Sequence, residues 1–220
     1  MSNEKFSGRP VGGDSTQTRG RILEAAADVF ADRGYHDSAV DEIARQSDTS
    51  KGTIYFHFNN KQTLFLALTD YLVAQLLAEV EGRIEAETDP VARVRAAVAT
   101  TLHSFARHRH LAKILLIDVA GLGRQGDRRL LGVHERIAAS IATQLQALQT
   151  ARIIAPLDTA LAATIWLGAI NEVVVRWLYT GQPADLEAAV PTLTTMLLQS
   201  IGLPADAGTP ATLAHEEPHR

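Results

Sequence analysis

From Thr49 to Thr69 the chain carries no Asp or Glu, while Lys51, His57 and Lys61 fall inside that window. Lys51, Thr53, Tyr55 and His57 occupy alternate positions, and Ile54 and Phe58 stand four apart among them. On a helix, Ile54 and Phe58 share an inward face and the polar four are left outward. Such an outer face suits a polyanion. Lys51 can reach a phosphate or guanine, and Thr53 can give a hydroxyl or a methyl to a base edge. Tyr55 and His57 can donate to phosphate oxygens, as can Lys61 from the next helix start. Ser38 and Ser50 stand at two helix starts, where free backbone amides add to anion binding. A solvated helical hairpin can carry the same residue types, so chemistry alone leaves both readings open.

The elements that would present this surface follow from periodicity. A first helix is expected over about 18–33, with Ile22, Leu23, Ala26, Val29 and Phe30 on one face and Gly34 as its stop. A second starts after Ser38, where Ser38 and Asp41 form an S-x-x-D capping pattern, and turns Val40, Ile43 and Ala44 inward. Ser47-Asp48-Thr49 breaks the pattern, and Ser50 caps a short third helix reaching about Phe58. Two short helices joined by a tight turn, the second exposing an outer face, make a helix-turn-helix.

Six longer helices are expected over about 61–87, 90–107, 110–122, 128–150, 157–179 and 186–201, punctuated by Gly121, Gly123, Gly126, Pro156 and Gly181-Gln182-Pro183. No alternating strand pattern competes; Val173-Val174-Val175 lies inside a helical pattern. The expected fold is all-α: a disordered arm over 1–17, a three-helix helix-turn-helix domain over 18–60, a six-helix domain over 61–203 and a disordered tail over 204–220.

Composition narrows the classes. With 220 residues the chain can bury a core without staples, and with no cysteine it has no disulfide, thiolate metal site or thiol nucleophile. The polar N-terminal segment lacks the apolar core of a secretory signal, and the apolar run 161–170 is about half a membrane span. A soluble, cytoplasmic protein without membrane partners is expected. The net charge of −4 opposes indiscriminate attraction to nucleic acid but leaves room for a local basic face. No glycine-rich phosphate loop, nucleophile elbow, HExxH or paired carboxylates point to an enzyme. His103, His108 and His110 lack the i, i+4 spacing of a ligand pair, so neither metal nor cofactor is expected.

The stretch 21–65 resembles the TetR family of regulators. The resemblance rests on Arg21-Ile22-Leu23-Glu24-Ala25-Ala26, Phe30, Gly34-Tyr35, Val40-Asp41-Glu42-Ile43-Ala44, Ser50-Lys51-Gly52-Thr53-Ile54-Tyr55-Phe56-His57-Phe58, Lys61 and Leu64-Phe65 in one register. It implies a homodimer on a palindromic operator, released by a small hydrophobic effector held in the larger domain. By position it places DNA contacts at Thr49, Ser50, Lys51, Gly52, Thr53, Tyr55, Phe56, His57 and Lys61, to which Ser38 is added from its helix start. Two departures stand out. The family's usual Ala-Gly-Val turn is Ser47-Asp48-Thr49 here, which puts Asp where Gly is easier and a hydroxyl at a half-buried position. Phe56 replaces the usual Tyr or His and gives up a phosphate hydrogen bond.

Two amphipathic stripes, Ile137, Ile141, Leu145 and Leu148, then Leu161, Ile165 and Gly168, are the expected dimer interface. The segment from Gly168 to Trp177 also resembles acyl-CoA-responsive regulators of fatty-acid metabolism. An acyl tunnel would draw on Leu102, Phe105, Leu116, Trp166 and Ile170, with Asn171 as a polar contact. Arg107, His108, Arg109, His110, Lys113, Arg124, Arg128 and Arg129 could meet its phosphates. The alternatives are a multidrug-responsive repressor of an efflux gene and, in another class, a helical protein-interaction adaptor that binds no DNA.

Overall fold

The computed structural model describes residues 11–119, 122–205 and 207, with the backbone alone for 11–14. Among the described residues all regular structure is helical: α1 (Val11–Asp37), α2 (Val40–Gln46), α3 (Lys51–His57), α4 (Lys61–Glu85), α5 (Pro90–Arg107), α6 (Arg109–Lys113), a π turn (Ile114–Asp118), α7 (Arg124–Thr150), α8 (Thr159–Thr180), a 3-10 turn (Glu187–Ala189) and α9 (Val190–Ser200). The all-α, helix-turn-helix-first architecture is the expected one.

Local signals explain most boundaries. Gly34 leaves helical geometry inside α1 at φ 75°, ψ 171°, where a stop is expected. The Asp89 carboxylate accepts from the Ala92 amide ahead of Pro90, whose missing N–H costs nothing in a first turn. Asp158 caps α8 through the amides of Ala160 and Leu161, and Gly181 ends it at φ 68°.

Elsewhere the structure departs from the pattern. Gly12 and Gly13 lower helix propensity without stopping α1, which starts at Val11 rather than near Thr18. Residues 1–10 of the expected arm lie outside the described residues. The single helix expected over 110–122 is α6 plus the π turn, closed by the Val119 amide donating to the Ile114 carbonyl at 3.2 Å. The wider turn lets Ile114, Leu115 and Val119 all face inward. Pro191 sets the start of α9 after a 3-10 turn. Of the tail expected to be disordered, the Ala205 and Ala207 carbonyls accept from the Arg95 guanidinium at 2.6 and 2.5 Å, and 206 and 208–220 lie outside the described residues.

The chain forms two compact units: Met1–Ala74 with Arg109–Val133, and Gln75–His108 with His134–Arg220. In the first, Ile22, Leu23, Ala26 and Phe30 of α1 are buried, as are Ile43, Ile54, Phe58, Leu64, Phe65 and Leu68. The Phe30 and Phe65 rings meet edge-on at 5.0 Å, a favoured aromatic geometry. α6 and the π turn pack on α1. A Cβ at Gly126 would lie 2.0 Å from the Val119 carbonyl oxygen, so the start of α7 requires glycine there.

In the second unit α9 packs on α5. Leu102, Phe105, Leu145, Leu148, Trp166, Leu167, Ile170 and Val174 are buried, and the Trp166 indole donates to Ser200 Oγ at 3.1 Å. α4 and α8 are each long and apolar enough by composition to cross a membrane, a length that the run 161–170 understates. Leu64, Phe65, Leu68, Leu72 and Val73 of α4 are buried, which is the work of a core helix.

Candidate nucleic-acid interface

Four residues, 47 to 50, set the geometry of this site. α2 ends at Ser47, and Asp48 takes the left-handed conformation at φ 51°, the one the turn demands and Asp tolerates better than most residues. The Thr49 amide then donates to the Ala44 carbonyl at 2.9 Å. The hydroxyl that Thr49 brings into this half-buried turn sits 2.9 Å from Ser47 Oγ, which itself donates to the Ile43 carbonyl at 2.7 Å. The two departures from Ala and Val therefore satisfy one another, and the turn closes without an orphaned polar group.

Ser50 caps α3: its hydroxyl accepts from the Thr53 amide at 3.0 Å and lies 2.9 Å from Thr53 Oγ1. Ile54 and Phe58 are buried beneath, and the Arg19 guanidinium lies 5.2 Å over the Phe58 ring. Outward, Ser50, Lys51, Gly52, Tyr55 and Phe56 are exposed, while Thr49, Thr53, His57 and Lys61 are half-buried. Phe56 is 81% exposed, the most of any large apolar side chain described, with its ring edge-on to His57 at 5.3 Å.

Two lysines are less available than their types suggest. Lys51 Nζ donates to Asp41 Oδ2 at 2.9 Å, and this hydrogen bond, with the charge of Asp41, holds the ammonium pKa above its ordinary value. Lys61 Nζ donates to the Ser38 and His36 carbonyls at 2.6 and 3.1 Å and lies 4.8 Å over the Tyr35 ring. Burial lowers its pKa, against the opposing charge of Asp37. Ser38 stands apart from the others. It is buried and donates to the Tyr35 carbonyl at 2.9 Å; the residue before α2 is Ala39, with no side-chain cap, so the expected Ser38–Asp41 capping pattern does not form.

The residues expected to hold an effector divide between the units. Leu102, Phe105, Trp166 and Ile170 are buried in the second unit, whereas Leu116 is half-buried on the π turn of the first. The Asn171 amide Nδ2 lies 3.3 Å from His134 Nε2. Burial pushes the His134 pKa down, and a neutral ring protonated on Nδ1 would offer Nε2 to the Asn171 amide as an acceptor. His134 gives no sequence signal, because only the fold brings it to Asn171. The second unit also has a groove of about 390 Å³ between α4 and α7, lined by Leu77, Glu81, Ile84 and Glu85 opposite Arg136, Ala139, Ser140, Thr143 and Gln144. None of the six expected residues lines it. Among the described residues no group of three His, Asp or Glu is arranged to hold a metal ion.

The stripes expected to pair two copies also separate. Leu145 and Leu148 of α7 are fully buried within the unit, whereas Leu161 and Ile165 of α8 are 57% and 60% exposed. Gly168 continues their face, and Tyr179 and Met196 are exposed on α8 and α9.

Known proteins resemble both halves. Residues 22–68 match the family model described as "Bacterial regulatory proteins, tetR family", and residues 87–201 match "Tetracyclin repressor-like, C-terminal domain". The "Fatty acid metabolism regulator protein" of Bacillus subtilis (strain 168) is 27% identical over 184 residues, 82% of this chain and 94% of its own length. The fatty acid degradation regulator FadR of Bacillus halodurans superposes with a TM-score of 0.75 at 25% identity, over 84% of this chain and 98% of that one. FadR of Bacillus subtilis in complex with stearoyl-CoA superposes at 0.73 and 24% identity, over 83% and 98%, a likeness of fold.

Proposed function

Because the chain belongs to the tetR family of bacterial regulatory proteins, we propose that it is a ligand-responsive repressor whose α3 enters the major groove of a palindromic operator. The observation that carries this reading is the capped, acid-free α3. Its cap and turn are satisfied internally, and of its exposed outer side chains Tyr55 and Phe56 face solvent while Lys51 is held by the exposed Asp41. Lys51 and Tyr55 reach phosphate or base edges once Lys51 exchanges Asp41 for DNA. Thr53 and His57 add polar contacts at the groove wall, and the Ser50 amide approaches the DNA backbone. Lys61 acts first as a brace, tying the α1–α2 junction to the start of α4. The match of residues 22–68 to a family of bacterial regulatory proteins speaks against a protein-interaction adaptor, and the relatives named above are regulators.

Two copies pair through α8 and α9, where Leu161, Ile165 and Met196 leave apolar surface in water. A dimer holds two α3 helices about one duplex turn apart, as a palindrome requires. The protein works in the cytoplasm, where its operator is.

The effector is a long-chain acyl-CoA. Supporting this are the relative that regulates fatty-acid metabolism and the stearoyl-CoA bound by a protein of the same fold. The buried apolar residues Leu102, Phe105, Trp166 and Ile170 match the chemistry of an acyl chain. The effector must bind the DNA-free conformation better, and a preference of about 3 kcal/mol changes operator affinity on the order of a hundredfold. A gel-shift titration tests it: stearoyl-CoA dissolves the operator complex at micromolar concentration. If stearoyl-CoA leaves the complex intact while a flat aromatic drug dissolves it, the multidrug-responsive reading replaces this one.

A further inference from the structure

Phe56 and Gly52 pose one question between them. Phe56 is the most exposed large apolar side chain described and lies on an otherwise polar outer surface. It cannot hydrogen-bond a phosphate, and leaving a phenyl ring in water is unfavourable unless a partner covers it. Gly52 stands one turn earlier, four residues from Phe56 and on the same face. Glycine costs a helix interior roughly 1 kcal/mol against alanine and less in a first turn, where Gly52 stands, but it still gains the short α3 nothing in stability. The fold supplies no reason for it here. Gly52 does not have the positive φ that favours glycine, and a Cβ there would meet only Ser50 Oγ, at an ordinary 3.6 Å. What glycine gains is a bare backbone beside the ring, with no side chain to hold a partner away.

We propose that Gly52 and Phe56 form an apolar step on α3 that reads the C5 methyl group of a thymine in the major groove. The thymine methyl is the one apolar group a base pair shows in that groove, and contact with Phe is among the ways proteins recognise it. Gly52 lets the helix backbone approach the base edge, and the Phe56 ring covers the methyl from the turn above. Lys51 and Tyr55 flank the step and fix its register through phosphates. The inference rests on the DNA-binding reading and adds to it a specificity-determining residue.

The test starts with duplexes enriched from a random library by the wild-type protein. Deoxyuridine then replaces each thymine of the enriched site in turn, which removes one methyl group and keeps every hydrogen bond. The wild type loses affinity about fourfold at one thymine per half-site, as expected for one buried methyl, and Phe56→Ala shows no difference between thymine and deoxyuridine there. Gly52→Ala weakens binding to both duplexes while its thermal unfolding stays at or above that of the wild type. Wild-type binding insensitive to deoxyuridine at every position overturns the inference and leaves DNA binding standing, and so does unchanged sensitivity in Phe56→Ala. If the wild type enriches no sequence, the DNA-binding reading falls and the inference falls with it.

Discussion

At the scale of single residues, the balance at α3 is set by which groups compete for which charge. Asp41 holds the Lys51 ammonium at 2.9 Å, and both side chains are largely solvated, so the pair itself adds little to stability. In the proposed DNA complex the same carboxylate would compete with phosphate for Lys51 and repel the backbone. Asp41→Asn should tighten operator binding about tenfold per dimer in low salt, with the gain shrinking as salt screens it; fluorescence anisotropy at two ionic strengths checks this. Asp118 is a different case. Burial raises its pKa, against the charges of Lys113 at 3.7 Å and His36, and its Oδ2 is buried without a partner among the described residues. A carboxyl group whose folded pKa is raised stabilises the fold only when protonated. Its cost therefore appears as pH rises from the ordinary carboxylate range through the raised value, and it persists at neutrality. Asp118→Asn should raise the urea midpoint at pH 7, with the advantage fading toward pH 4.

Among the elements, those closed by local chemistry were legible in the sequence and those closed by distant partners were not. The Ser50 cap, the Asp48 turn, Gly34, and Asp89 with Pro90 act within a few residues, and each does what its residue type implies. Lys61 could not be read this way, because its carbonyl partners lie 23 and 25 residues away. The π turn was hidden for a related reason: periodicity assumes a constant turn, while packing on α1 draws Ile114, Leu115 and Val119 inward together. Ser38 failed as a cap because α2 begins one residue later than the pattern implies, which puts Ala39 at the cap position while the Ser38 hydroxyl turns back to the Tyr35 carbonyl. An amphipathic stripe cannot say whether its apolar face meets its own chain or another. Leu145 and Leu148 proved internal, while Leu161 and Ile165 stay exposed. On that basis Ile165→Glu should turn the dimer into monomer, read by analytical ultracentrifugation, with helical content retained because the residue is 60% exposed in the single chain.

For the whole molecule, a net charge of −4 and an acid-free recognition helix belong together. The surplus of acid weakens indiscriminate attraction to DNA, and in the proposed complex Lys51 supplies attraction where register matters. If Lys51 meets phosphate in both half-sites, Lys51→Ala should reduce the log–log salt slope of binding by about 2. Whether paired α3 helices lie outward-face-down in successive major grooves is read from hydroxyl-radical footprinting on the enriched duplex. The wild type should protect two patches on one face of the duplex, about 10 base pairs apart, and Lys51→Ala/Tyr55→Ala should lose both while remaining a folded dimer. A single patch, patches on opposite faces, or protection unchanged in the double variant would contradict that arrangement.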